Sequence, residues 1–184
     1  MKFELKDWTN GKIALTLEGE NWKLAFSGAI KAGIEFRWID LSDMDFSNLT
    51  IKGGLLYQCK FNLGTKFDGT KCYSTTFYGT TFDGTTFYGT KFDGTKFQKS
   101  TFNGKKIVEC ERPIFLIHPL GSDQHTLLAI NTDKGIHIQT GCFNGSVEEF
   151  NAALKKKHGD NQHAQEYTAA IKLVELHFKL WAKK

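Results

Sequence analysis

No stretch of the 184-residue sequence approaches the run of about 18 apolar residues that a membrane-spanning helix requires. The first residues, Met-Lys-Phe-Glu-Leu-Lys, lack the apolar core of a secretion signal. The sequence therefore reads as a cytoplasmic protein with no membrane association. Its four cysteines, Cys59, Cys72, Cys110 and Cys142, fall at none of the spacings that hold metals or form redox pairs, and are expected to be reduced thiols. Charge of one sign is also missing. Lys and Arg number 24 against 20 Asp and Glu, and the small excess is spread over the whole chain. The longest basic run is Lys155-Lys156-Lys157, too short to track a phosphate backbone, so nucleic-acid binding is not expected. Paired carboxylates, a phosphate-binding glycine loop and a Ser-His-Asp arrangement are absent too, and no cofactor or metal is expected.

What the sequence has instead is a repeat of five. Thr-Lys-Phe-Asp-Gly at 65–69 returns at 90–94, and Thr-Thr-Phe-Tyr-Gly at 75–79 returns at 85–89. Large apolar residues stand at the centres: Leu41, Phe46, Ile51, Leu56 and Phe61, then Phe67, Cys72, Phe77, Phe82, Phe87, Phe92, Phe97 and Phe102. The step is six only between Phe61 and Phe67, which marks one inserted residue near Leu63–Gly64. A period of five fits neither a helix nor a flat strand. A chain that buries one large side chain in five must turn a corner between burials. Four such units close a coil of about 20 residues, and successive coils stack at the inter-strand spacing of about 4.8 Å. The residue two before each centre must be small, and it is Cys59, Thr65, Thr70, Thr75, Thr80, Thr85, Thr90, Thr95 or Ser100. The residue two after is often glycine, as at Gly69, Gly79 and Gly94, which suits a tight turn. Four walls follow: Leu41, Phe61, Phe82 and Phe102; Phe46, Phe67 and Phe87; Ile51, Cys72 and Phe92; Leu56, Phe77 and Phe97.

This pattern resembles the pentapeptide-repeat family, whose members form a right-handed four-sided β-helix. Thr stands here for the family's usual Ala and Phe for its usual Leu, and Ile39-Asp40-Leu41 comes nearest the common unit. The resemblance implies a mainly β chain with a right-handed quadrilateral β-helix of a little over three coils at 39–105. An N-terminal cap would occupy 1–38, and a C-terminal α+β module 106–184. Family members that mimic duplex DNA are acidic, whereas Lys66, Lys71, Lys91, Lys96 and Lys99 interleave here with Asp68, Asp83 and Asp93. DNA mimicry is therefore not expected.

In the cap, strands at 3–6 and 13–17 flank Trp8-Thr9-Asn10-Gly11, a hairpin signal. Asn21 then precedes Trp22, Ala25, Phe26, Ala29 and Ile30, spaced as one face of a helix that Gly33 ends. This lead-in is similar to that of pentapeptide proteins encoded by tailed bacteriophages and prophages. Beyond a charged connector, residues 113–118 read as a strand, and 126–131 with 136–140 as a hairpin around Thr132-Asp133-Lys134-Gly135. Ser146-Val-Glu-Glu149 is a capping box that opens a helix to about Lys157, and Asp160 is placed to cap a last helix at about 162–182. The expected module is ββ(β)αα, similar to C-terminal domains found behind such repeats in phage proteins.

The candidates for chemistry are Cys142, just past a strand end, and His158, between the two helices. Together they could form a nucleophile and its base, with buried structural roles as the alternative. Outward-facing Tyr73, Tyr78 and Tyr88, with Lys71 and Lys91, are candidate contact residues on a rigid wall. In the last helix Tyr167, Ile171, Val174, Phe178 and Trp181 form one apolar seam, and Leu173, Leu176 and Leu180 a second. One seam can cover the module's own sheet. The other is expected to support a homodimer, as C-terminal caps of pentapeptide proteins often do. The function expected is that of a non-catalytic phage-type interaction protein that binds, and could inhibit, a host macromolecule through an unknown protein partner. The alternatives are sequestration of a small molecule, such as a nucleotide signal, at a dimer or module junction, and a Cys/His-dependent enzyme in the C-terminal module.

Overall fold

The computed structural model describes residues 1–62, 64–87, 89–121 and 124–182. The chain divides into two compact units, Met1–Lys106 and Ile107–Lys184.

The first unit opens with β1 (Lys2–Lys6) and β2 (Ile13–Glu18), an antiparallel pair that buries Leu5 and Leu17. Helix α1 (Trp22–Lys31) follows, its first turn held by Asn21, whose side chain accepts from the Leu24 N–H. Ala25, Phe26, Ala29 and Ile30 face inward, as their spacing predicts. Gly33, at φ +73°, supplies the left-handed step that ends the helix.

Short strands then build the coils: β3 (Glu35–Arg37), β4 (Thr50–Lys52), β5 (Leu55–Tyr57), β6 (Lys60–Phe61), β7 (Lys71–Tyr73), β8 (Thr76–Tyr78), β9 (Thr81–Phe82), β10 (Lys91–Asp93) and β11 (Thr101–Phe102). Strand β12 (Lys105–Lys106) turns back antiparallel on β11. Parallel pairing gives three walls, β3-β5-β8, β4-β7-β10 and β6-β9-β11. A fourth is held by the bridges Asp45–Lys66 and Lys66–Thr86. The result is a β-solenoid of about three turns. Each predicted ladder is present: Phe61 faces Phe82 and then Phe102, and Ile51 faces Cys72 and then Phe92. Partners on either side of the insertion are 21 residues apart, as in Ile51 with Cys72, and other partners 20, as in Cys72 with Phe92. One extra residue at a corner therefore leaves every wall in phase. Leu63, assigned to the insertion, lies outside the described residues.

The solenoid starts earlier than the sequence reading put it. Phe36 sits five before Leu41, is fully buried and pairs with Leu56, which makes it the first rung of the ladder of Leu56, Phe77 and Phe97. Ile34, two before Phe36, is not small, and this hid the unit. Phe26 of α1 caps the open end, with its ring 5.0 Å from those of Phe36 and Phe46.

Inside, rings stack along three of the walls and meet at steep angles between walls, while the fourth carries Ile51, Cys72 and a single ring, Phe92. Phe46 lies 5.0 Å from Phe67 at 11°, and Phe61 lies 5.3 Å from Phe82 at 4°. Across the corner Phe61 meets Phe67 at 67°. Both arrangements suit the quadrupole of an aromatic ring. The small corner residues do more than leave room. Thr65, Thr70, Thr75, Thr80, Thr85, Thr90, Thr95 and Ser100 each donate a hydroxyl to a buried carbonyl of the coil before, over 2.6–3.3 Å. Cys59 repeats the contact through sulfur to Phe36 O at 3.3 Å. The Cys59 and Cys72 thiols are buried and pushed up to about 12 by desolvation, so they act as small apolar fillers.

The second unit is an antiparallel meander, β13 (Ile114–Leu120), β14 (His125–Thr132), β15 (Gly135–Thr140) and β16 (Phe143–Ser146), followed by α2 (Val147–His158) and α3 (Gln162–Leu180). The capping box forms as predicted, with Ser146 Oγ accepting from the Glu149 N–H and Glu149 from the Ser146 N–H. Two expectations are corrected. Strand β16 is an addition to the expected ββ(β)αα module, missed because Phe143-Asn-Gly-Ser has no alternating pattern. The cap of α3 is Asn161 rather than Asp160, since its side chain accepts from the Ala164 N–H at 3.0 Å. The core joins Leu127, Ala129 and Ile138 of the sheet to Phe150 and Leu154 of α2 and to the inner face of α3. None of the helices, among the described residues, is long and apolar enough to cross a membrane.

Candidate functional site

Each coil residue before or after a buried centre faces outward, so a wall displays two residues per strand. On β3-β5-β8 the pairing aligns Arg37, Tyr57 and Tyr78 in one row. The Arg37 guanidinium lies 4.4 Å over the Tyr57 ring and is steadied by Glu35, with Nη2 2.6 Å from Oε2. Tyr57 and Tyr78 rings are 6.1 Å apart, and Lys99 Nζ stands 5.1 Å from the Tyr78 ring centre. The corner after Arg37 is Trp38, in left-handed backbone at φ 60°, a conformation rare for a large side chain. Its N–H donates to Tyr57 O at 3.0 Å, and its ring lies 5.8 Å from Trp8. Trp8 Nε1 donates to Gln58 O at 2.7 Å. Both tryptophans nevertheless remain exposed, Trp8 at 44% and Trp38 at 38%. The wall thus carries a ledge of rings whose orientations are fixed by the coil beneath.

Of the residues singled out from sequence, only Tyr78 belongs to this ledge. Tyr73, Lys71 and Lys91 share the neighbouring wall β4-β7-β10, where Lys71 pairs with Lys91 and Tyr73 with Asp93. Tyr88 lies outside the described residues. The sequence reading missed Trp8, Arg37, Trp38 and Tyr57. Arg37 and Tyr57 follow Phe36 and Leu56 in the repeat phase, so they were detectable once Phe36 was counted. The Trp8–Trp38 contact joins the hairpin to the first coil and leaves no periodic trace.

In the second unit, Cys142 and His158 line one pocket of about 340 Å³. Cys142 is exposed in the turn between β15 and β16, and His158 closes α2. No hydrogen bond joins their side chains. The His158 ring is instead held 5.7 Å from His163 and 6.4 Å from Tyr167. Among the described residues no group of three His, Cys, Asp or Glu could hold a metal ion.

On α3 the two predicted seams have different fates. Tyr167, Ile171, Val174 and Phe178 are buried in the unit's own core, which takes them out of the set offered for dimerisation. Trp181 is half-buried under the Arg112 guanidinium, 3.8 Å from its ring. Leu173, Leu176 and Leu180 remain exposed, between 48% and 68%.

Residues 65–104 match the family described as Pentapeptide repeats, in eight copies. No curated protein matches the chain. The matched segment is the Thr- and Phe-rich part of the solenoid.

Proposed function

We propose that this chain is a non-catalytic interaction protein of phage type, whose wall β3-β5-β8 serves as a rigid contact surface for a host macromolecule that it inhibits. The observation that carries the reading is the ledge of exposed Trp8 and Trp38 and half-buried Tyr57 and Tyr78, all held in place. Rings fixed before contact lose little conformational freedom on binding, and Trp, Tyr and Arg are the residues that dominate interface energetics. The mixed charge of the outer faces suits a protein surface better than a phosphate backbone. The exposed leucines of α3 are read as a contact between two copies of the chain.

The test is capture of partners from bacterial lysate by the tagged full chain, side by side with a Tyr57→Ser/Tyr78→Ser protein of unchanged circular dichroism. The reading expects a stoichiometric protein that binds the parent chain and is lost from the double variant. Equal capture by both proteins, or no stoichiometric partner, would overturn it.

A further inference from the structure

We propose that the pocket of the C-terminal unit binds a small organic monoanion with a flat apolar body, an aromatic carboxylate in chemical class. The site is independent of the β-helix wall, and its failure would leave the interaction reading standing. At about 340 Å³ the cavity falls within the range of about 300–1,000 Å³ typical of small-molecule sites. Phe143 meets Phe150 edge-on at 5.1 Å, and Phe150 meets Tyr167 edge-on at 5.4 Å, so ring surfaces wall one side with Leu154. A flat apolar body is what such walls accept.

The polar groups say what the other end of the ligand must be. His125, Lys157 and His158 line the pocket, and no carboxylate does so among the described residues. A cationic ligand would meet only basic groups. A polyphosphate would find a single permanent cation, Lys157, which is too little charge for it and matches a monoanion. This counts against the nucleotide signal considered from sequence. A second observation points inward. Thr140 lines the pocket at 6% exposure, and its Oγ1 has no hydrogen-bond partner. Buried hydroxyls are almost always satisfied, and this one, closed to solvent within the pocket wall, gains a partner where a ligand oxygen displaces the wall beside it. Thr140 is the last residue of β15, so its position is set by the sheet.

Cys142 supplies the readout, since it is exposed on the pocket lining while Cys110 lies outside it. The full chain is treated with iodoacetamide, and alkylation of each cysteine is followed by peptide mass spectrometry. The probes are 2-naphthoate and its neutral isostere 2-naphthamide. The expected result is that naphthoate slows alkylation of Cys142 and leaves Cys110 unchanged, with naphthamide protecting far less. Lys157→Gln, an exposed position that does not disturb the fold, weakens naphthoate roughly fivefold and leaves naphthamide alone. Thr140→Val keeps the shape, removes the hydroxyl and also weakens naphthoate. No protection by either compound overturns the site. Equal protection by both, or protection by naphthoate unchanged in Lys157→Gln, overturns the assignment of an anion.

Discussion

Thr70→Val tests the view that the corner threonines hold the solenoid by hydrogen bonds and not by size alone. Thr70 is fully buried and gives the shortest hydroxyl contact of the series, 2.6 Å to Phe46 O. Valine has the same shape, the same branching at Cβ and one more buried methyl. If volume were all that mattered, the change would be neutral or stabilising, because apolar burial contributes about 0.8 kcal/mol per carbon. If the bond matters, the loss must exceed that gain. Phe46 O keeps a second donor, the Leu49 N–H at 3.1 Å, so the carbonyl is not orphaned. The cost is then that of the bond, about 1.5 kcal/mol for so short a contact, and not the larger penalty of an unsatisfied group, which leaves about 0.7 kcal/mol once the methyl's gain is subtracted. For a unit of this size that is a fall of about 3 °C in midpoint. Three of the four tryptophans, Trp8, Trp22 and Trp38, lie in the first unit, so thermal unfolding followed by fluorescence in a Trp181→Phe background reports on that unit alone. A Thr70→Val protein as stable as its parent, or more so, would refute the reasoning. Thr70→Ser, which keeps the donor and loses a methyl, should leave the bond in place and cost only the lost burial.

Gly64, at φ +89°, faces Asp43 so closely that a Cβ would run into its carboxylate. Gly64→Ala should therefore cost about 2 kcal/mol, for the left-handed backbone and for turning the exposed Asp43 carboxylate aside, against about 1 kcal/mol for Gly104→Ala, where φ is +72° and the space is open; urea unfolding midpoints compare them. His177 stacks on Phe115 at 4.1 Å, with Nε2 buried and without a partner, and desolvation holds it below its ordinary value. The unfolded chain therefore takes up this proton first. Stability of the second unit is full above about pH 6.5, falls as the pH drops from there to the lower folded value, and then levels off. Melting curves should show this slope, and His177→Gln should flatten it. If Leu173, Leu176 and Leu180 join two chains, changing all three to Gln shifts light scattering from dimer to monomer while the circular dichroism stays the same.

The solenoid was legible because its interior repeats. Every coil asks the same of its centre and its corner, and the answers, Phe and Thr, recur at intervals that no helix or flat strand produces. The insertion was legible for the same reason, as a single break in phase between Phe61 and Phe67. What escaped was aperiodic. Phe36 sits in phase but follows a large Ile34 in place of a small residue. At the corners, Asp43, Asn48, Gln58, Ser74 and Lys99 take the same left-handed backbone as the glycines, with φ between 48° and 61°. The corner is thus set by the coil and only eased by glycine. In the second unit the helix caps could be read from local chemistry, while β16 owes its pairing to its neighbour β15 and not to any pattern of its own.

The same division explains why the fold was easier to read than the site. A coil that turns four corners points backbone carbonyls inward, and buried carbonyls need donors. Thr and Ser supply them from within, eight times in succession, while the stacked rings supply the apolar core. Neither task involves the outward residues. The interior is therefore constrained to a motif, and the exterior is left to carry whatever contact the protein makes. On β3-β5-β8 and its corner that freedom holds Trp38, two tyrosines and their cations, with Trp8 of the hairpin beside them, where the equivalent row of β4-β7-β10 holds Lys52, Tyr73 and Asp93. A wall that needed these residues only as cover would not have to place a tryptophan at a corner that the coil holds in left-handed backbone, or leave Trp8 nearly half exposed. Their cost to the fold is the argument that they serve something outside it.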